Sequence, residues 1–194
     1  QKGRYGVSGF SKDNKYVFYL TDGGKEFTYL VQYDMNSGER KVLYETNWDV
    51  MYTFLSEKET YRVIAINEDG KNTIIMQDAA SGKTIDFPAI PDGDILGVEI
   101  SDSEKLMRLS VGTSKAPNNI YLYNLETKEL KKLTESLNKE INADDLVSAE
   151  VVRYKSFDGL DIPAIYYHPH QATPEQKVPA SIWVPGGPRG QSRT

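Results

Sequence analysis

The alternation of apolar and polar positions predicts a chain built almost entirely of short β-strands. Apolar residues recur at every second position up to about residue 133, interrupted by turns rich in Gly, Asn, Asp or Ser. The first stretch of this pattern predicts strands at 6–10, 16–21, 28–34 and 40–44, separated by the turns SKDNK, DGGK and NSGE. These four strands form a unit that the following residues repeat.

Two independent registers show the repeat. The segments GFSKDNKYVFYL, TFLSEKETYRVIAI and GVEISDSEKLMRLSV align, with serines 45 residues apart at Ser11, Ser56 and Ser101. The segments YDMNSGERKVL, QDAASGKTIDF and YNLETKELKKL also align, with spacings of 44 and 46 residues between Gly38, Gly82 and Lys128. The second unit is predicted to hold strands at 51–55, 61–67, 73–78 and 84–87, and the third at 95–100, 106–111, 119–124 and 129–133.

Four antiparallel strands per repeat of this length indicate β-propeller blades. We therefore interpret residues 1–134 as a partial propeller of about three blades; a β-sandwich with regular hairpins is the alternative. Three blades cannot close a ring, because natural propellers have about four to eight. The sequence thus predicts further blades upstream, partners that bind the open sheet edges, or exposed edges.

The pattern changes after residue 134. Residues 135–148 are polar and predict a linker, in which Asn142 can cap a short helical turn. Residues 150–157 and 160–167 predict a hairpin across an Asp-Gly turn. Pro163 in its second strand places that strand near a sheet edge.

A short apolar run, VPASIWV at 178–184, is followed by the turn PGGP at 185–188. It predicts a buried strand that stops abruptly and presents the backbone N–H groups of a glycine turn to a ligand. We expect residues 149–194 to be the beginning of a second domain.

Composition narrows the function classes. The net charge of −5 argues against a general nucleic-acid surface and gives no attraction to anionic membranes. The absence of cysteine excludes disulfides, thiolate metal sites and a cysteine nucleophile. No nucleotide or dinucleotide fingerprint is present, so we expect no cofactor, and no apolar run is long enough to span a bilayer. We expect a soluble protein; the compartment stays open, with the cytoplasm slightly favoured over the periplasm.

Few side chains suggest catalysis or metal binding. The two histidines, His168 and His170, flank a proline and are interpreted as loop residues rather than metal ligands. Caps and turns explain the carboxylate pairs better than acid–base chemistry does, namely Asp144 with Asp145 and Asp92 with Asp94. Aspartates in the blade turns are interpreted as turn hydrogen-bonders: Asp13, Asp69 and Asp102. Most of the 13 tyrosines are expected in the blade core, and a minority could line a peptide channel.

The string VVRYKSFDGLDIPAIYYHP at 151–169, followed by KVPASIWVPGGPRGQS at 177–192, resembles the entry into the α/β-hydrolase domain of prolyl oligopeptidase-family serine peptidases. The acylaminoacyl-peptidase-like branch, with His-Gly-Gly-Pro after this strand, is the most similar. In that family a β-propeller directly precedes the hydrolase domain. The resemblance extends over residues 146–192 at the level of motifs and over residues 6–133 in architecture alone.

The resemblance implies a role for the glycine turn. The backbone N–H of Gly187 would be an oxyanion-hole donor, and Gly186 would form the turn. Pro185 departs from the family's histidine, which puts the turn geometry in doubt but leaves the N–H of Gly187 in place. Ser192 lacks the final glycine of a Gly-x-Ser-x-Gly motif and a following histidine, so we do not expect it to be a nucleophile.

Two functional hypotheses follow. In the first, the chain is part of a serine peptidase that cleaves short peptides by acyl transfer, with the propeller limiting access. This piece would be truncated before the Ser/Asp/His triad and inactive alone, and it would need the rest of the hydrolase domain as a partner. In the second, it is a stand-alone propeller-type module that binds a peptide or protein.

Overall fold

Regular structure consists almost wholly of antiparallel β-sheet in this computed structural model, which describes residues 2–90, 93–187 and 191–193. The first sheet contains β1 (Tyr5–Phe10), β2 (Tyr16–Thr21), β3 (Tyr29–Asp34) and β4 (Arg40–Tyr44). The second sheet contains β5 (Asp49–Leu55), β6 (Tyr61–Glu68), β7 (Lys71–Asp78) and β8 (Thr84–Ile85). The third sheet contains β9 (Asp94–Ile100), β10 (Leu106–Thr113), β11 (Ala116–Asn124) and β12 (Leu130–Lys132). A hairpin of β13 (Ala149–Lys155) and β14 (Asp161–Tyr167) follows.

Each four-stranded sheet is a simple meander in which every strand pairs with its neighbour in sequence. The strand predictions up to residue 133 and in the hairpin are confirmed, with ends that differ by at most three residues. Residues 135–148 contain a single turn of 3-10 helix, Ala143–Asp145, and the side chain of Asn142 caps it as predicted by accepting the N–H of Asp144. No helix in the described ranges is long and apolar enough to cross a bilayer.

The second sheet lies between the other two and buries both of its faces. On β6, successive side chains point to opposite faces because the strand is pleated. Ile64 and Ile66 pack against Phe18 and Leu30 of the first sheet. The alternate residues face the third sheet, in a cluster of Val63, Ala65, Ile74, Met76, Ile95, Val98, Met107, Leu109, Val111, Tyr123 and Leu125. The continuous apolar run of β6 is therefore explained by burial on both sides.

The two outer faces of this stack differ. On β1 of the first sheet, Val7 pairs with Tyr19, and Val7 and Phe10 are 68% and 59% exposed. On the third sheet, the outer face carries an ion pair between Arg108 and Glu99, with 2.8 Å between Nη2 and Oε1. The first sheet thus presents an apolar face to solvent, while the third presents a more polar one.

The predicted buried strand at 178–184 is wrong for this structure. All of these residues are described, none is in a strand, and Ile182, Trp183 and Val184 are 89%, 86% and 79% exposed. A central parallel strand takes its hydrogen bonds from strands that are distant in sequence. No strand of the described residues pairs with 178–184, so its apolar side chains stay in solvent.

Candidate functional site

The turn that joins the first and second strands of each sheet follows one hydrogen-bonding plan; we call these the serine turns, residues 11–15, 56–60 and 101–105. The serine Oγ accepts the N–H five residues later, at 2.9 Å for Ser11, 2.9 Å for Ser56 and 3.2 Å for Ser101. The fourth residue of each turn has a left-handed backbone, with φ of 56°, 60° and 60° at Asn14, Glu59 and Glu104. The serine register of the sequence therefore marks a repeated turn.

The turn between the third and fourth strands also repeats. A side-chain oxygen of its first residue accepts backbone N–H groups two or three positions on, at Asp34, Asp78 and Asn124. Hydrogen bonds from Ser37 and Asn36 lower the pKa of Asp34, and those from Ser81 lower the pKa of Asp78. The left-handed residues are those of the second sequence register, Gly38, Gly82 and Lys128.

The chain after residue 134 lies against the opposite end of the sheets, where the second and third strands are joined. Ser114, in the turn between β10 and β11, accepts the N–H of Ala149 at 2.9 Å, and its hydroxyl donates to the carbonyl of Val147 at 3.4 Å. These bonds tie the start of β13 to the third sheet.

A second attachment lies on the turn between β6 and β7, residues 67–72, which we call the contact turn. Arg153 of β13 forms an ion pair with Asp69. From the C-terminal segment, Arg193 Nη1 donates to Asn72 Oδ1 at 2.7 Å, and Gln191 Oε1 accepts from Asn67 Nδ2 at 2.6 Å. Two segments that are distant in sequence therefore meet on one turn of the second sheet.

Gly70 allows the backbone of the C-terminal segment, at Ser192, to approach this turn closely. Its φ is +78°, and a Cβ at this position would lie 3.2 Å from the carbonyl oxygen of Ser192. Only glycine combines that left-handed backbone with so close a neighbour at no steric cost. The sequence interpretation of Asp69 as a turn hydrogen-bonder missed its ion pair, since Arg153 is 84 residues away.

The predicted oxyanion turn is open in this structure. Gly186 and Gly187 are exposed, and neither has the positive φ that favours glycine. A Cβ on either residue would meet no atom within 4 Å. Pro188, in the same predicted turn, and the following Arg189 and Gly190 lie outside the described residues. The structure therefore leaves the role of Gly187 as a prediction.

The other candidates occupy structural positions. The ring of His168 packs edge-on against Tyr166 with 5.7 Å between centroids, and His170 Nε2 lies 3.4 Å from the carbonyl oxygen of Leu146. Within the residues described, no cluster of three or more His, Cys, Asp and Glu side chains could hold a metal ion.

Asp94 joins two sheets, a structural role that the sequence interpretation missed. It is 5% exposed at the start of β9, and its carboxylate accepts the N–H of Asn72 at 2.6 Å. Burial raises the pKa of Asp94 above the ordinary value. Asp49 bonds the N–H of Thr28 at 2.8 Å in the same way, so each carboxylate joins its sheet to the preceding one. Their 45-residue spacing was a signal that could have revealed this role. Asp92, its proposed partner, lies outside the described residues.

Comparisons with known proteins identify the fold. No family model matches the sequence, and no curated protein matches it. One of two prolyl endopeptidases analysed together matches with a TM-score of 0.72 and 15% identity, over 88% of this chain and 25% of that chain. Prolyl oligopeptidase B from Galerina marginata, bound to a 25mer macrocyclization substrate, matches with a TM-score of 0.70 and 17% identity, over 84% of this chain and 23% of that chain. The apo form of that protein matches with a TM-score of 0.66 and 18% identity, over 84% of this chain and 24% of that chain.

This chain spans about a quarter of the length of the solved structures it matches. At these identities the likeness concerns the fold. The antiparallel sheets of this chain match the β-propeller domain of prolyl oligopeptidases.

Proposed function

We propose that this chain is part of a serine peptidase of the prolyl oligopeptidase family. In this proposal residues 1–134 supply three blades of the propeller, residues 135–148 are the linker, and residues 149–194 begin the α/β-hydrolase domain. The observation that carries the proposal is the match of the sheets to prolyl oligopeptidase structures, with TM-scores of 0.66 to 0.72. The motif at 151–192 supports it from the sequence side.

The position of the later segment supports this division of the chain. The hairpin and residues 191–193 are attached at one end of the stack, through Ser114 and the contact turn. A hydrolase domain that grows from β13 and β14 would therefore cover that end of the sheets. Such a cover would make the propeller a filter that admits short peptides and excludes folded proteins.

The exposed face of the first sheet supports a larger propeller. Val7 and Phe10 are 68% and 59% exposed there, although each would be covered by a neighbouring sheet in a ring. An exposed apolar face of this kind usually marks a surface that another element covers. We therefore propose that further blades pack on β1 to β4 in the whole protein.

The proposed chemistry is acyl transfer to a serine. The attacked carbonyl develops negative charge on its oxygen, and a backbone N–H aimed at that oxygen stabilises the transition state. We assign this role to Gly187, with a triad of Ser, Asp and His supplied from outside these 194 residues. The substrate class is peptides, and the residue preferred at the cleavage site stays open.

The first test uses the gene and the chain. We expect the reading frame to continue past residue 194 into a Gly-x-Ser-x-Gly segment, followed by Asp and His. The 194-residue chain alone should not hydrolyse chromogenic peptides or esters. Turnover by this chain that a serine-directed inhibitor abolishes would contradict the assignment.

The second test addresses Gly187 in the longer protein. Gly187→Pro removes the N–H and should lower kcat for a peptide substrate by about 100- to 1,000-fold. Gly187→Ala is the matched control, because it keeps the N–H and its Cβ meets no atom within 4 Å. Equal losses in the two variants would indicate that turn shape, not the N–H, matters.

A further inference from the structure

The second serine turn, residues 56–60, uses its serine hydroxyl differently from the other two. In the first serine turn, the hydroxyl of Ser11 donates to Asp13 Oδ1 at 2.7 Å. In the third, the hydroxyls of Ser101 and Ser103 bond each other at 3.1 Å. The residue at that position of the second turn is Lys58, so the Ser56 hydroxyl lacks that local side-chain acceptor.

The carboxylate of Glu104, from the third sheet's serine turn, fills the second turn. It is 8% exposed and accepts the N–H of Lys58 at 2.7 Å. The hydroxyls of Ser56 and Thr60 and the N–H of Thr60 lie near it and favour its ionised form. Burial raises the pKa of Glu104, but the Lys58 N–H and these nearby polar groups outweigh burial and lower the pKa below the ordinary value.

The contact between the first and second sheets repeats this arrangement around a more exposed glutamate. Glu59, at the equivalent position, accepts the N–H of Lys12 at 2.7 Å. The first turn offers no further hydroxyl, since Ser11 donates to Asp13 and Lys15 stands where the second turn has Thr60. Glu59 is also more exposed than Glu104. The two glutamates thus form a matched pair: each accepts one backbone N–H, and they differ in burial and in the hydroxyls nearby.

We propose that the second serine turn is a carboxylate-binding site that Glu104 fills, and that this contact is an acid-sensitive clip between the second and third sheets. The amides and hydroxyls of residues 56–60 recognise the ionised carboxylate because all of them donate. A protonated carboxyl offers fewer acceptor sites, so the clip weakens in acid.

Some charged side chains around Glu104 favour its ionised form and others oppose it. Lys12 is close enough to interact with Glu104, Glu57 and Glu59, and its ammonium donates to Glu57 Oε1 at 2.8 Å. The Lys58 ammonium donates to the carbonyl of Ser103 at 3.0 Å, beside the clip. The lysines favour the ionised form of Glu104, and the two neighbouring glutamates oppose it.

The pH window follows from the direction of the shift. Because the folded pKa of Glu104 lies below the ordinary 4.5, its contribution to stability is fully present above pH 4.5. That contribution is lost as the pH falls through the lower folded value. The third sheet should therefore loosen on the second in acid before the stack unfolds.

The experiment compares wild type, Glu104→Gln and Glu59→Gln in the full chain by amide hydrogen exchange and thermal unfolding from pH 3 to 7. In Glu104→Gln we expect the protection of the Lys58 amide to fall by about 10- to 100-fold at pH 7, and Tm by about 5–10 °C. In Glu59→Gln we expect Tm to fall by less than about 3 °C. The stability difference between wild type and Glu104→Gln should shrink progressively as the pH falls below 4.5.

Equal losses in the two variants, or a difference between wild type and Glu104→Gln that does not change with pH, would overturn the proposal. Thr60→Val removes one hydroxyl with little change in shape. It is the replacement test if Glu104→Gln does not fold. It should lower the protection of the Lys58 amide by a smaller factor than Glu104→Gln does, and it should move the acid transition to higher pH. An unchanged acid transition in Thr60→Val would equally overturn the proposal.

Discussion

The stacked sheets and the segment at 178–184 both contain apolar runs, but only the runs in the sheets are buried. Strands in the stack form where their pattern predicts them, and their apolar residues, such as Ile64 and Leu109, are completely buried. In the later segment, Trp183 is 86% exposed and no strand forms. The pattern identifies residues that favour burial, but burial also requires a partner surface.

The hairpin of β13 and β14 lies between these extremes. Its strands form because each is the other's partner and a short Asp-Gly turn joins them. Its side chains are less well covered, with Tyr154 57% exposed and Phe157 fully exposed. Pairing between sequence neighbours thus sets the register of the hairpin, whereas its attachment to the stack and a packed face need other elements.

The largest expected effect tests this contrast in stability. Leu109→Ala should destabilise the stack by about 2.7–5 kcal/mol, because it removes a fully buried side chain and leaves a cavity. Trp183→Ala is the control and should change the free energy of unfolding by less than about 0.5 kcal/mol. Urea denaturation measures both. A large loss for Trp183→Ala would show that the later segment is packed in solution.

A smaller change in stability distinguishes a glycine in a turn of the stack, Gly82, from a glycine that follows the segment at 178–184, Gly186. Gly82→Ala should cost about 1–2 kcal/mol, because the φ of +71° at this turn is unfavourable for any side chain with a Cβ. Gly186→Ala should be near neutral, since its backbone is not left-handed and a Cβ meets nothing within 4 Å. Thermal unfolding of the two variants distinguishes them, and equal losses would argue against the described conformation at residue 186.

The smallest effect concerns the ion pair that links the contact turn of the stack to β13 of the hairpin. Asp69→Asn removes the ion pair with Arg153, whose side chain is 45% exposed, so the unfolding midpoint of the stack should hardly change. Amide exchange in β13 should accelerate by less than about fivefold and should respond to salt in wild type alone. A lowered midpoint would mean that the contact turn holds the stack as well as the hairpin.

Much of the fold could be predicted because its interactions are local. The serine register at Ser11, Ser56 and Ser101 corresponds to a turn closed within five residues. Even the left-handed backbone at Lys128 could be inferred, since it aligns with Gly38 and Gly82. In each case sequence neighbours complete the hydrogen bonds.

The contacts between sheets were not predicted. The sequence analysis did not single out Glu104, yet its carboxylate accepts the N–H of Lys58 in another turn. Asp94 looked like a turn former and instead joins the second and third sheets. Such partners depend on how whole sheets are placed, which side-chain spacing alone does not specify.

The sequence by itself determined the meander of short strands, the repeat and the turns, because antiparallel neighbours satisfy one another's backbone hydrogen bonds within a few residues. The tertiary structure decided which faces are covered, which carboxylates join the sheets, and that the run at 178–184 stays in solvent. Those outcomes depend on surfaces from distant parts of a chain, and an apolar run packs only where such a surface is present.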